Sequence, residues 1–122
     1  MYKVYGISNC NTVKKALDWL KENEIKIEFH DYKKAGITTT KLIEWSKQKP
    51  LDTLINKNGT TWRMLDPATQ KSLSKEDIAI EFLAHKPSLI KRPIIEENGV
   101  IVAIGCDEAQ YKSIFLEHHC LS

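Results

Sequence analysis

The chain has few cysteines, and none is placed for a metal site or a disulfide framework. Cys10, Cys106 and Cys120 are odd in number and lie far apart. Zinc sites and small disulfide-bonded domains need cysteines at short, repeated spacing. The sequence therefore predicts no bound metal, and thiols that are inert, catalytic or redox-active in a reducing compartment.

The chain also lacks a long apolar run and a large net charge. No stretch approaches the roughly 20 apolar residues of a membrane-spanning helix, and Gly6 and polar residues follow Lys3 too soon for a signal peptide. The formal net charge is +2 over 122 residues, which is too small to indicate a nucleic-acid partner. We expect a cytoplasmic protein with neither a direct nucleic-acid partner nor a membrane partner.

The first third of the chain has the pattern of a βαβ unit. Apolar residues alternate over Met1–Ile7, recur at helical spacing from Asn11 to about Asn23, and alternate again over Ile25–Phe29. Asn9 or Asn11 can cap the helix. Strand, helix and strand within about thirty residues predict two parallel strands with a right-handed crossover.

The middle of the chain has a helical pattern. A helix is predicted from Thr38 to before Pro50, a loop over Asn58–Arg63, and a further helix with a start resembling a capping box at Ser74. The sequence therefore predicts a helical insert over about residues 36–87.

The last part of the chain returns to strands. Asn98-Gly99 stands between two apolar runs, which is a strong hairpin signal, and a helix containing Tyr111 and Phe115 follows. The whole order predicts an α/β protein of one domain with a thioredoxin-like fold. Its four-stranded mixed sheet (βαβ + ββα) would come from residues 1–35 and 88–117, with the helical insert between them.

Cys10 is the first candidate for chemistry. It lies between the first strand and the first helix, at the carboxyl end of a parallel strand, where ligands approach such sheets. The helix N-terminus and Lys14 can both lower a thiol pKa there. The alternative is a packed, unreactive cysteine. Because Val13 stands three positions on, there is no Cys-x-x-Cys pair, and any adduct on Cys10 would pass to an external thiol or to a distant cysteine.

Three further positions each have a functional and an ordinary interpretation. Pro93 precedes a strand, where the Arg92–Pro93 bond is either cis, exposing backbone groups beside the Cys10 loop, or an ordinary trans bond. Arg63 is by itself a solvated loop charge unless the fold brings it near Cys10. Asp107 is an N-cap that can in addition receive the ammonium group of a γ-glutamyl ligand. His118, His119 and Cys120 are predicted to form a solvated tail.

Four segments together resemble the arsenate reductase (ArsC) family, which also contains the Spx and MgsR regulators, and within it the YffB-like branch. The segments are Tyr5–Ala16, Phe29–Tyr32, Asn58–Arg63 and Ile90–Pro93. They follow the order and spacing of the family from about Tyr2 to Phe115. The resemblance implies a thioredoxin-like fold with a helical insert, as predicted above.

The resemblance also implies roles for individual residues. Cys10 corresponds to the catalytic cysteine, and Arg63 and Arg92 correspond to two arginines that hold the anion and stabilise the thiolate. Pro93 corresponds to a proline expected to be cis. Asn11, Thr12 and Lys14 belong to the same segment and are candidates for substrate or glutathione binding. No cofactor is implied; glutathione or glutaredoxin is the expected reductant.

The chain departs from the arsenate reductases in one loop. Where those enzymes have a third arginine, this chain has Gly105-Cys106-Asp107-Glu108. Acidic groups there would repel a doubly charged arsenate adduct, and the run resembles the glutathione site of glutaredoxins. A glutathione-linked thiol reductase acting on an oxyanion or a disulfide is therefore the first functional prediction. A Spx-like regulator that binds RNA polymerase is the alternative.

Overall fold

The structure, a computed structural model, describes residues 2–117, and the predicted tail of His118, His119 and Cys120 lies outside them. Within this range the chain divides into two compact units. The first comprises the residues up to Asp31 and those from Arg92 onward, and the second is Tyr32–Lys91. No helix in this range is long and apolar enough to cross a membrane.

The first unit contains a four-stranded sheet. In chain order its elements are β1 (Tyr2–Gly6), α1 (Asn11–Glu22), β2 (Ile27–Asp31), β3 (Ile94–Glu97), β4 (Val100–Ile104), α8 (Glu108–Tyr111) and a π-helical turn (Lys112–Glu117). The strand order is β2-β1-β3-β4. β1 is parallel to β2, whereas β3 is antiparallel to both β1 and β4. The prediction of a thioredoxin-like mixed sheet is confirmed.

The core of the first unit lies between one face of the sheet and the helices. Val4, Ile95 and Ala103 from the strands are buried against α1 and the last helix. Tyr111 and Phe115 meet edge to face at 5.6 Å between ring centroids, and both are fully buried. Such aromatic pairs add about 0.5–1.5 kcal/mol beyond the area they bury. Phe115 also meets Tyr2 of β1 edge to face at 4.8 Å between ring centroids, and this contact attaches the last helical segment to the sheet.

The hairpin predicted at Asn98-Gly99 joins β3 to β4. Asn98 has φ 50° and Gly99 has φ 84°, the two positive values that a type I′ turn requires. The pairing register shifts between Ile95 and Glu96, so β3 and β4 have a local irregularity in an otherwise regular ladder.

The second unit is helical. Its elements are α2 (Tyr32–Ala35), α3 (Thr39–Ser46), α4 (Leu51–Leu54), α5 (Thr60–Arg63), α6 (Pro67–Ser72), α7 (Glu76–His85) and a 3₁₀ turn (Pro87–Leu89). Thr38 caps α3 by accepting a hydrogen bond from the Lys41 N–H at 3.1 Å. An isolated antiparallel β-bridge joins Ile55, just after α4, to Ile90, just after the 3₁₀ turn.

Two local predictions in this unit are wrong. Thr60–Arg63 is a helical turn within the predicted loop, and the Arg63 N–H donates to the Gly59 carbonyl at 3.2 Å. Two consecutive threonines have low helix propensity, so the local sequence predicted a loop where tertiary packing forms a helical turn. Helix α7 begins after Lys75, and the Ser74 hydroxyl donates backwards to the Lys71 carbonyl at 2.9 Å. Ser74 therefore closes the preceding turn and does not cap α7.

Candidate active site

Cys10 is the N-cap residue of α1. Its φ and ψ are −91° and 127°, and its N–H donates to the Ile7 carbonyl at 3.1 Å. The predicted caps, Asn9 or Asn11, are wrong, because the thiol itself occupies the N-cap position and no side-chain oxygen caps the helix. The first-turn N–H groups of a helix have no partner within the helix. At this position they are available to the sulfur of Cys10.

The pKa of Cys10 is lowered by its surroundings. Partial burial of the thiol opposes ionisation and is the largest single influence. Hydrogen bonds from the Val13 N–H, the Arg92 side chain and the Thr12 N–H, together with the charge of Arg92, outweigh it. All of these groups favour the thiolate because they donate to it or carry positive charge. Cys10 is half-buried, so its sulfur combines a stabilised charge with access from solvent.

Arg92 and Pro93 stand directly before β3. The Arg92–Pro93 peptide bond is cis, as predicted, and Pro93 is buried. The antiparallel register pairs Tyr5 with Ile94, so the beginning of β3 lies beside the end of β1. This pairing places the Arg92 side chain within reach of the Cys10 thiol.

The Gly105–Asp107 loop is tied to the same turn. The Gly105 N–H donates to the Pro93 carbonyl at 2.8 Å. Gly105 has φ 84°, a conformation that side chains rarely adopt. Asp107 accepts a hydrogen bond from the Gln110 N–H at 3.2 Å, which confirms it as the N-cap of α8. The acidic loop and the Arg92–Pro93 turn are therefore neighbours in one unit.

Cys106 lies in a different setting from Cys10. It belongs to a groove of about 310 Å³ between α1 and the last helix, whose lining includes Lys15, Trp19 and Tyr111. Partial burial raises the pKa of the Cys106 thiol, Lys15 lowers it, and Asp107 and Glu108 raise it. The net direction is upward, so the two cysteines of this unit are shifted in opposite senses.

The other predicted site residues fall in both units. Asn11, Thr12 and Lys14 are exposed on the first turn of α1, and the Lys14 N–H donates to the Cys10 carbonyl at 2.9 Å. Arg63 is exposed on α5 of the second unit. Among residues 2–117, no group of three His, Cys, Asp or Glu side chains could hold a metal ion.

The sequence places Cys10 at a helix N-terminus but does not identify which N–H groups donate to its sulfur, namely those of Val13 and Thr12. Position 13 drew attention only because its side chain is not a second cysteine. Its N–H nevertheless donates to the Cys10 sulfur. Every residue except proline has a backbone N–H, so the residue type does not show which N–H donates. The only available signal was the predicted start of α1, which indicates where such donors lie.

The opposite pKa shifts predict the order in which the thiols react. In a brief treatment with iodoacetamide near neutral pH, we expect Cys10 to be alkylated severalfold faster than Cys106, because the thiolate is the reactive form. Peptide mass spectrometry measures both rates in one sample. Cys106 is the more exposed of the two, so access alone predicts the reverse order. Faster alkylation of Cys106 would contradict the assignment of Cys10 as the activated thiol.

The chain is similar to proteins with the same fold and length. A curated protein of Haemophilus influenzae, described as uncharacterized, is 45% identical over 115 residues, covering 94% of this chain and 99% of that protein. The solved structure of the YffB protein has a TM-score of 0.85 and 39% identity, over 93% of this chain and 98% of that one. An arsenate reductase (ArsC) related protein from Brucella melitensis has a TM-score of 0.76 and 37% identity, with 94% of each chain covered.

The sequence model of the ArsC family matches residues 5–114. This range includes Cys10, Arg63 and the Arg92–Pro93 turn, so the match contains the segments on which the resemblance was first based. The chain belongs to the ArsC family.

Proposed function

We propose that the protein is a glutathione-linked, thiol-dependent reductase with Cys10 as its single catalytic cysteine. The observation that carries the proposal is the lowered pKa of Cys10, which burial opposes and which the Val13 and Thr12 N–H groups and Arg92 together produce. A nucleophile held as thiolate beside a cation is the requirement of thiol–disulfide exchange. Membership of the ArsC family agrees with an oxidoreductase of this kind.

The proposed reaction has two exchange steps. The Cys10 thiolate attacks the glutathione sulfur of a mixed disulfide, forms a Cys10–glutathione disulfide and releases the other thiolate, which takes a proton from water. A second glutathione thiolate then attacks the glutathione sulfur of that adduct. Cys10 leaves as thiolate, and oxidised glutathione is formed. Overall, the mixed disulfide and one glutathione thiol give the free substrate thiol and oxidised glutathione. The substrate sulfur is reduced to a thiol, and the sulfur of the second glutathione is oxidised to a disulfide sulfur.

Arg92 is proposed to stabilise Cys10 both before attack and as the leaving thiolate. We propose Arg63 as the second cation, on the ground of its position in the family pattern. Asn11, Thr12 and Lys14, on the exposed first turn of α1, are proposed to contact the bound glutathione. A reducing cytoplasm would supply the glutathione.

The acidic loop favours glutathione over arsenate as the ligand. Asp107 stands two residues after Gly105, whose N–H is bonded to Pro93. Its exposed carboxylate is proposed to receive the ammonium group of the γ-glutamyl end while it caps α8. Like charges several ångströms apart near a protein surface repel by a few kcal/mol, on the order of the gain from an opposite charge. A doubly negative arsenate adduct would therefore be opposed where a γ-glutamyl ammonium is attracted.

Treatment with oxidised glutathione tests this function. We expect one glutathione per chain, located by peptide mass spectrometry on Cys10, and faster turnover of a glutathione mixed disulfide than of arsenate when glutathione is the reductant. Asp107→Asn should raise the KM for glutathione. It should also reduce the ratio of mixed-disulfide turnover to arsenate turnover. Modification of Cys106 or Cys120 with Cys10 left free would overturn the proposal. In the alternative, a regulator of the Spx type, turnover would be absent and the protein would co-purify with RNA polymerase.

A further inference from the structure

Strand β2 is an edge strand of the sheet in the first unit. In the strand order β2-β1-β3-β4, β2 pairs with β1 on one side, and no other strand within residues 2–117 pairs with its other side. The Tyr2 N–H donates to the Lys26 carbonyl. Successive residues of a strand point their backbone groups to opposite sides, so the N–H and C=O of Ile27 are directed away from β1. An edge with such outward groups is a template for another strand.

The sequence around Ile27 is complementary to a second copy of itself in an antiparallel pair. Glu28 follows Ile27 and Lys26 precedes it, and Phe29 and Ile25 stand one position further out. In an antiparallel pair of two copies centred on Ile27, each Lys26 lies opposite the Glu28 of the other copy. Two pairs of opposite charge therefore form at once, with apolar residues opposite apolar residues beyond them.

Charge selects this register over the neighbouring one. Pairing centred on Glu28 uses the same outward backbone groups, but it places the two Glu28 carboxylates directly opposite each other. Opposite charges across a strand pair stabilise it and like charges destabilise it. Lys26 and Glu28 are both exposed, so their side chains are accessible to a second molecule.

An apolar groove follows the same edge. Its volume is about 540 Å³, and its apolar lining comprises Leu17, Ile25, Ile27 and Phe29. Ile27 and Phe29 of β2, and Ile25 just before it, are only partly buried by the core of their own unit. In the register centred on Ile27, each Phe29 lies opposite the Ile25 of the other copy on the face where the groove opens. The two grooves would then adjoin on one face of the joined sheet.

We infer that β2 is a dimerisation edge, where a second copy of this chain adds antiparallel across Ile27 and joins two four-stranded sheets into one of eight strands. The occupant is a second copy because the outward N–H and C=O of Ile27, the charges of Lys26 and Glu28, and the apolar surface all match under a two-fold axis at Ile27. The Ile25 N–H takes no part, since it donates to the Leu20 carbonyl at 2.9 Å. The inference is independent of the catalytic proposal, since β2 carries none of the residues placed in that site.

Sedimentation equilibrium of charge-reversed variants tests the inference. The full-length chain should show a mass approaching twice that of the single chain as its concentration rises. Lys26→Glu and Glu28→Lys should each raise the dimer dissociation constant by about ten-fold or more, because each converts two attractive pairs into two repulsive ones. The double variant K26E/E28K should return to the behaviour of the original chain, since it exchanges the charges and keeps the pairs opposite.

The double variant is the matched control, because it contains both changes of the single variants. Circular dichroism of all four proteins establishes that each is folded; exposed charges on one edge should leave the spectrum unchanged. A single-chain mass for the unchanged protein at every concentration would overturn the inference. So would dimers that the single variants leave intact, or a double variant that stays dissociated.

Discussion

Cys10→Ser is expected to abolish reduction of glutathione mixed disulfides, with a loss of at least about 1,000-fold. A serine hydroxyl at the N-cap of α1 would still meet the N–H groups of Thr12 and Val13. It would stay protonated at neutral pH, because an aliphatic hydroxyl is a far weaker acid than a thiol, and the donors and Arg92 that lower the pKa of Cys10 do not overcome that difference. The variant therefore keeps the helix start and loses the nucleophile. A coupled assay of glutathione oxidation measures the loss.

The matched control is Cys106→Ser. Cys106 lies in the same unit, within the Gly105–Asp107 loop, but its pKa is raised by partial burial and by the acidic groups beside it. Its replacement by serine should leave turnover within about two-fold of the original, because the change is small, the residue is exposed, and Cys106 is not the nucleophile of the proposed reaction. Serine is also a good N-cap, so Cys10→Ser should not lose thermal stability. Retained activity in Cys10→Ser, or lost activity in Cys106→Ser, would show that Cys10 is not the nucleophile.

The fold was accessible from the sequence where periodicity and turn chemistry agree. The alternation around Ile27, the helical spacing after Asn11 and the Asn98-Gly99 turn each indicate one local structure, and the sheet follows from their order. The turn at Thr60–Arg63 was missed because two β-branched residues disfavour helix locally. The start of α7 was misplaced because Ser74 closes the previous turn instead.

The site was less accessible because it depends on strand neighbours and backbone groups. Cys10 could be singled out from its place between β1 and α1. Its contact with Arg92 depends on the pairing of Tyr5 with Ile94, and periodicity identifies strands without saying which of them are adjacent. The predicted fold placed the Arg92–Pro93 bond beside the Cys10 loop, but only the family resemblance pointed to Arg92 as the cation at the thiol. The donor N–H of Val13 belongs to the backbone, so the sequence indicates it only through the predicted start of α1 and not through the residue type at position 13.

Arg92→Ala is expected to slow turnover at neutral pH by about 10- to 100-fold. The Arg92 side chain donates to the Cys10 sulfur and adds a favourable charge. A hydrogen bond to a charged group contributes about 1.5–3 kcal/mol, and each 1.4 kcal/mol corresponds to roughly ten-fold in rate. Without Arg92, partial burial acts on Cys10 with fewer opposing groups, so its pKa should rise. The midpoint of the alkylation rate against pH measures that rise.

The pH profile also separates two ways in which Arg92 can act. If Arg92 only holds Cys10 ionised, raising the pH above the new pKa should restore the alkylation rate, because the thiolate then forms without help. If Arg92 also stabilises charge in the transition state, a deficit in turnover should persist at high pH. The control Lys15→Ala also removes one positive charge, but from a residue whose charge lowers the pKa of Cys106. It should leave the pH dependence of Cys10 alkylation unchanged. An unchanged profile in Arg92→Ala would show that the helix N–H groups alone hold the thiolate.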